Sequence, residues 1–404
     1  MTATRLDPPG SRIEEIRTTI FNLRLRAPYH WAAGLYHGST KVLVEVRTAD
    51  GMVGFGEASN WRHAAIIEGE IAPRIIGEPA TNLRRCWNLA VPPVEAMHNT
   101  EGADLIRAYG AIEIALWDLR GKMLGMPIHR LLGGAARTRV PFTEYFAARE
   151  PNGSEGGEVS AEEIGAYCLR AVEEWGSSCF EGKVGWQDLE TDLAVVRAVR
   201  DAIGPERALK LDANGGWTLD TARHALRAMA DLSIDNVEDP VFQFEDMASL
   251  RLSTPIPFST HVPDLRAAIR LGAPDSFVLN ATALGGIERT LRFVAACEGF
   301  GRGFSFYSGD AGIGVAAYLQ MAAADPYLGR ASQSLLRWYA NDIIVGGPFS
   351  PCEGHLDVPD GPGLGVDVDR QALERANADF QAHGEVAQAA AKDGTAGYAR
   401  PPLY

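Results

Sequence analysis

Four polar residues in this chain stand at intervals that suit chemistry. Asp212 closes the strand-like part of "ALKLDANGG", Glu238 lies in "SIDNVEDPV" and His261 in "TPIPFSTHV". The steps from 212 to 238 and from 238 to 261 are 26 and 23 residues. If each run is the strand of a repeating strand–helix unit, three neighbouring strand ends each present one side chain to a single spot. Two carboxylates and an imidazole converging there make sense around a divalent cation. The alternative is that each acid caps the helix after it, which suits one acid better than three residues in step. The fourth residue is Lys183 in "FEGKVGW", with Glu181 two positions before it. A buried ammonium is costly unless it is paired or put to use. Beside a divalent cation and partly desolvated, its ammonium would lose stability and its pKa would fall toward neutrality. A lysine paired structurally with a neighbouring carboxylate is the competing reading.

Such residues need a frame that brings strand ends together. From "RVPFTEYFA" onward, short β-rich runs alternate with helical stretches: "CFEGKVGW", "ALKLDANGG", "SIDNVEDPV", "TPIPFSTHV", "SFVLNA" and "GRGFSFYS". Six or seven such units at roughly 25-residue spacing imply parallel strands closed into a β/α barrel, whose active groups sit at the C-terminal strand ends. Asn214, Asn280, Tyr307 and Ser308 fall at such ends beside the first four. Before the barrel, residues 13–60 read as strands, with a hairpin turn at Asp50-Gly51. Between the first two runs, "RAPYHWAAGLYHGS" reads as a loop, either a binding loop carrying Tyr29, His30 and Trp31 or a packed connection. "GAIEIALWDLRGKMLGMP" reads as a helix through Ile112, Leu116, Leu119 and Met123, stopped by Gly125 and Pro127. Ser160 and Glu163 suit a capping box. "GDAGIG" at 309–314 lacks a dinucleotide-binding context and reads instead as a helix N-terminus able to hold an anion.

A chain of 404 residues favours two domains, and 46% hydrophobic with 22% charged residues is a globular composition. The formal net charge of -14 argues against a nucleic-acid partner, which needs a basic face. It leaves room for an anionic small molecule, because one cation reverses the field inside a pocket. Five cysteines without a CxxC pair read as reduced thiols, each a small buried hydrophobe. With no 18-residue apolar run and no apolar leader at the start, the expectation is a cytoplasmic protein with no membrane partner.

"GAIEIALWDLRGKMLGMPIHRLLGG", "KVG", "LDANGGW" and "VEDP" together resemble the mandelate racemase and muconate lactonising branch of the enolase superfamily. The resemblance runs from about residue 13 to about 385, and "IPFSTH" with "PGLGVDVD" is most similar to the glucarate dehydratase-like group. It implies an α/β fold: a modified (β/α)7β TIM barrel over 138–340 and an α+β capping domain over 11–137. Residues 341–404 would pack back on the cap and end in a surface tail. It implies homo-oligomers, a small-molecule carboxylate substrate and a metal that stabilises the enediolate left when a base removes the α-proton. On matching positions Asp212, Glu238 and His261 are the metal ligands. The family's third ligand is a carboxylate or asparagine, and Asp264 is a weaker candidate here. Mg2+ is implied, and a histidine leaves Mn2+ or Zn2+ open. Lys183 takes the place of the proton-abstracting second lysine of a Lys-x-Lys motif, and Glu181 stands where the first binds substrate.

The far side of the site departs from the family. A sixth-strand slot is filled by Asn280, and the seventh-strand histidine falls at Phe306 or Tyr307. With no second base in those slots, β-elimination is easier to support than racemisation. Lys183 would remove the α-proton, and Tyr307 would serve as general acid or as packing. Asn214, Asn280, Tyr29, His30 and Glu181 are the expected substrate contacts. Racemase, epimerase or cycloisomerase chemistry is the alternative, and a non-catalytic paralogue of the same fold lies in another class.

Overall fold

The structure, a computed structural model, describes residues 10–91 and 100–390. Its first element is a three-stranded antiparallel sheet of β1 (Ile13–Trp31), β2 (Gly34–Thr48) and β3 (Val53–Ala58). The Asp50-Gly51 turn forms as expected, with Gly51 at φ +89° and its N–H on the Thr48 carbonyl. The helix Thr100–Leu124 lies directly on β3. Glycine permits that approach, since a Cβ on Gly56 would stand 1.9 Å from the Ala111 carbonyl oxygen. Ile112, Leu116 and Leu119 are fully buried on this helix, and Gly125 at φ +64° ends it.

"RAPYHWAAGLYHGS" is not a loop. Most of it continues β1 and β2 as a hairpin extension, pairing Tyr29 with Tyr36 and Trp31 with Gly34. Its first strand finds further partners in segments just past two of the barrel strands: Arg26 N–H donates to the Trp338 carbonyl and His30 N–H to that of Ala148. Periodicity along the chain could not reveal those partners, because they come from other parts of the fold.

Eight parallel strands follow: β4 (Arg139–Phe146), β5 (Cys179–Lys183), β6 (Ala208–Asp212), β7 (Asn236–Glu238), β8 (Phe258–Thr260), β9 (Ser276–Leu279), β10 (Gly303–Ser308) and β11 (Ser332–Ser334). Each pairs with the next, and β11 pairs with β4, so the sheet closes into a barrel. One helix follows each of the first seven strands, giving the (β/α)7β pattern. Ser160 and Glu163 form the expected capping box at the first of these helices. The closing strand β11 is only three polar residues long, too short for a hydrophobic period to mark it. A short β12 (His355–Asp357) pairs antiparallel with β4, and the helix Arg370–His383 packs on β1. Arg24 grips Asp379 of that helix with two hydrogen bonds of 2.7 and 2.9 Å.

Four cysteines are buried free thiols, but Cys352 is exposed, because it lies in a surface turn before β12 rather than in a core element. Ala390 pairs with Leu35 of the hairpin, and the rest of the expected tail, 391–404, lies outside the described residues. Among the described residues no helix is long and apolar enough to cross a membrane.

Candidate metal centre and active-site cavity

Register builds the centre. Lys183 pairs with Asp212 across β5 and β6, Asp212 with Glu238 across β6 and β7, and Glu238 with Ser259 across β7 and β8. His261 lies two residues past Ser259, on the same side of the chain by strand alternation. One ligand atom from each of Asp212, Glu238 and His261 therefore falls within 4.8 Å of the others. Asp212 and Glu238 are wholly buried.

The donor set fits a divalent cation on observations independent of spacing. The Nδ1 of His261 lies 2.9 Å from the Val278 carbonyl, which can only accept, so that nitrogen carries the hydrogen. Nε2 is thereby left to act as a ligand, the arrangement of a metal-binding histidine whose other N–H is fixed by a carbonyl. It sits 2.7 Å from Glu238 Oε1, a buried oxygen that receives no directed hydrogen bond. Without an ion the ring answers as a base. Burial pushes its pKa down, but Glu238 above all, with Asp239 and Asp212, lifts it to about 10. Asp212 accepts the Asn214 N–H at 2.9 Å on Oδ1, and Glu238 accepts Gln333 Nε2 at 3.2 Å on Oε2.

Lys183 is buried and donates to Asp212 Oδ2, with its ammonium 5.4 Å from the Tyr145 ring centroid. The expected fall in its pKa is not what these neighbours produce. Burial lowers it, but Asp212, Glu238 and Glu181 outweigh burial and hold it above the ordinary lysine value. The expectation assumed a cation beside the lysine; the protein groups alone are carboxylates and stabilise the ammonium.

A cavity of about 390 Å³ opens above this centre. Lys183, His261, Asn214, Asn280, Tyr307, Tyr29 and Trp31 line it. Tyr307 settles the register on β10: its ring meets His261 edge-on at 5.1 Å, whereas Phe306 stacks on Tyr318 of the outer helix Gly312–Ala324. Two expected contacts are misplaced. Glu181 is not among the lining residues. It lies two residues below Lys183 on β5, one layer deeper in the barrel, level with Lys210 of β6. Burial, and then Glu238, raise its pKa to about 8. His30 alternates to the other face of β1, where it stacks on Trp186 at 4.3 Å and meets Glu150 Oε1 at 2.6 Å. Asp264 caps the helix Leu265–Leu271 by accepting the Ala267 N–H, so it serves that helix rather than the centre. The glycine-rich helix start at 311–314 is occupied by internal carboxyl groups rather than by a free anion. Glu57 accepts the N–H groups of Ala311 and Gly314, and Asp342 accepts that of Gly312.

Several lining residues escaped sequence reasoning. Tyr145 comes from β4, and its hydroxyl donates to Gln333, which in turn holds Glu238. Lys41 comes from β2 in the cap and pairs with Asp310 just past β10. Arg107, Ser59 and Asn60 are further cap residues on the same wall. The signal for Lys41 was present as a lysine opening the largely apolar run "KVLVEV". Nothing local identified its destination.

Comparison with known proteins agrees with this architecture. Residues 163–372 match the enolase C-terminal domain-like family, and residues 14–133 match the mandelate racemase / muconate lactonizing enzyme N-terminal domain. A probable glucarate dehydratase of Streptomyces coelicolor is 29% identical over 82% of this chain and 83% of its own length. A chloromuconate cycloisomerase of Cupriavidus necator is 28% identical over 90% and 98%. An enolase structure from Thermobispora bispora, complexed with magnesium and formate, superimposes with a TM-score of 0.84 at 28% identity, covering 93% of this chain and 95% of the other.

Proposed function

The chain belongs to the mandelate racemase and muconate lactonizing enzyme family of the enolase superfamily, and from that premise we propose that it is a metal-dependent lyase that dehydrates an acid-sugar-type carboxylate. The observation that carries the proposal is the in-register row Lys183–Asp212–Glu238, completed by His261, at the floor of one cavity. Asp212, Glu238 and His261 are the ligands, and we assign Mg2+, which the Thermobispora relative contains. Manganese and zinc draw no support from the relatives compared above. Held there, such an ion would supply positive charge to a substrate carboxylate and to the charge that grows as the α-proton leaves.

Lys183 is the base. Its proton is held against Asp212 Oδ2, and Asp212 cannot serve both an ion and the ammonium at full strength. A bound ion that engaged Asp212 as a ligand would weaken this hold on the ammonium and favour the free amine. Asn214 and Asn280 offer amide groups to substrate hydroxyls, and Tyr307 faces the same space from β10. Tyr29 and Trp31 close the cavity from the cap. This polar lining suits a polyhydroxylated acid better than an apolar diene acid, which favours dehydration over cycloisomerisation. Glu181, beneath the floor, acts on the charge of the centre rather than on substrate.

The test is a panel of six-carbon acid sugars, glucarate and its diastereomers included, with Mg2+ in D2O. Exchange of the α-proton together with release of a 2-keto-3-deoxy acid is expected. Lactonisation or epimerisation without dehydration would overturn the assignment.

A further inference from the structure

The sequence offers no second base opposite Lys183, since neither Asn280 nor Tyr307 is a histidine, and leaves Tyr307 as general acid or packing. The fold supplies one from outside the barrel. Lys41, on cap strand β2, lines the cavity, and its Nζ lies 2.9 Å from Asp310 Oδ1. Both side chains are buried, at 6% and 8% exposure. The ring order places this pair on the far side from Lys183. Asp310 follows β10, and β10 is three strands from β5 through β11 and β4 in a ring of eight. The ligands on β6 and β7 and just past β8 lie on the intervening arc of the other side. A substrate held at the centre therefore has Lys183 at one flank and Lys41 toward the other.

We propose that Lys41, positioned by Asp310, is the general acid that protonates the departing β-hydroxyl. The proposal rests on the dehydratase reading above. Of the three ammonium N–H groups one is committed to Asp310, which leaves two for a ligand. Glu57, the nearest competing carboxylate, spends its oxygens on the backbone of Ala311 and Gly314. The atoms balance as follows. Lys183 as free amine takes the α-proton. The C–H electron pair first passes into the carboxylate as an enediolate, which can return to substrate with a solvent-derived proton, and then forms the Cα–Cβ double bond as the Cβ–O bond breaks. The oxygen takes a proton from Lys41 and leaves as water, and the enol tautomerises to the 2-keto acid. Lys183 ends as ammonium and Lys41 as amine, and one proton moved through solvent resets both. The direction of transfer is favourable. Burial lowers the Lys41 pKa, but Asp310 above all holds it above the ordinary lysine value, and the hydroxide it protonates is a stronger base still, since water ionises only at about 15.7. Asp310 keeps the donor charged until it is needed. Tyr307 stands beside this pair and orients the hydroxyl.

The decisive variant is Lys41→Arg. It keeps the positive charge and a partner for Asp310, but a guanidinium does not give up its proton in proteins. The experiment uses whichever acid of the glucarate panel exchanges fastest with the Mg2+-loaded protein, and follows α-proton exchange and keto-acid release separately. In Lys41→Arg, exchange is expected to persist while keto-acid release falls by about 10²-fold or more, the usual scale of general acid catalysis. Tyr307→Phe is expected to lose about tenfold or less. Keto-acid release surviving in Lys41→Arg, or abolished in Tyr307→Phe alone, would overturn the assignment. Loss of exchange and release together in Lys41→Arg, with the melting temperature retained, would overturn it too, since it would make Lys41 a binding residue. Absence of exchange by the unsubstituted protein with every acid would instead bring down the dehydratase reading itself, and this proposal with it.

Discussion

The two walls of the cavity are built by different physics. The floor, from Lys183 to His261, comes from successive strand ends of one barrel, where hydrogen-bonded register fixes which side chains stand level. The upper wall, with Tyr29, Trp31 and Lys41, comes from a separate sheet docked over the barrel mouth. Register carries the first arrangement along the chain at a nearly constant step. Docking sets the second, and adjacent residues on the same strand end on opposite sides of it. Tyr29 enters the cavity while His30 turns away to Trp186 and Glu150. The floor should therefore hold what the reaction requires, and the cap wall what chooses and completes it.

That division can be broken by substitution. Glu238→Gln on the floor is expected to abolish tight Mg2+ binding and to cut turnover by more than the roughly 10²–10³-fold that loss of one charge-stabilising donor costs. Calorimetric titration of the ion with parallel rate measurements would check it, and near-normal binding would remove Glu238 from the centre.

The next effect is on pH. The metal-free His261 ring is a strong base, lifted to about 10 chiefly by Glu238 against the downward push of burial. An ion must displace that proton, so apparent Mg2+ affinity should rise with pH below about 10, by up to tenfold per unit for one proton released. The sign follows from competition: more protons, less metal. His261→Asn, which offers an oxygen ligand without a proton in this range, should flatten the slope. An unchanged slope in that variant would assign the released proton to another group.

The smallest effect belongs to His30. With its side chain turned from the cavity, His30→Ala should lower stability by about 1 kcal/mol through loss of the stack on Trp186. Turnover should stay within about twofold. A larger loss of turnover with an intact melting temperature would return His30 to the site.

The same division explains what the sequence made legible. Asp212, Glu238 and His261 could be read because each unit of a parallel barrel repeats the same strand-to-helix step, so that equal spacing means equal height. Lys183 was readable as a lone cation closing an apolar run. Glu181 was placed correctly on the strand and wrongly in depth: alternation puts it on the face of Lys183, but only the closed barrel shows it to be one layer down. β11 was invisible, being three polar residues whose strand state depends on β10 and β4 at either side. The hairpin extension of β1 and β2 was read as a loop because its partners, Trp338 and Ala148, are distant in sequence. Lys41 was unreadable for the same reason, since its role depends on Asp310, which lies 269 residues away.

The account stands most directly on Lys183. Its test is the rate of α-proton exchange into solvent D2O by Lys183→Ala, measured with the Mg2+-loaded protein and an acid sugar that the unsubstituted protein exchanges. The predicted result is a loss of about 10³-fold or more, with Mg2+ still bound through Asp212, Glu238 and His261. Exchange at the unsubstituted rate with the ion in place would contradict the assignment of Lys183 as the base.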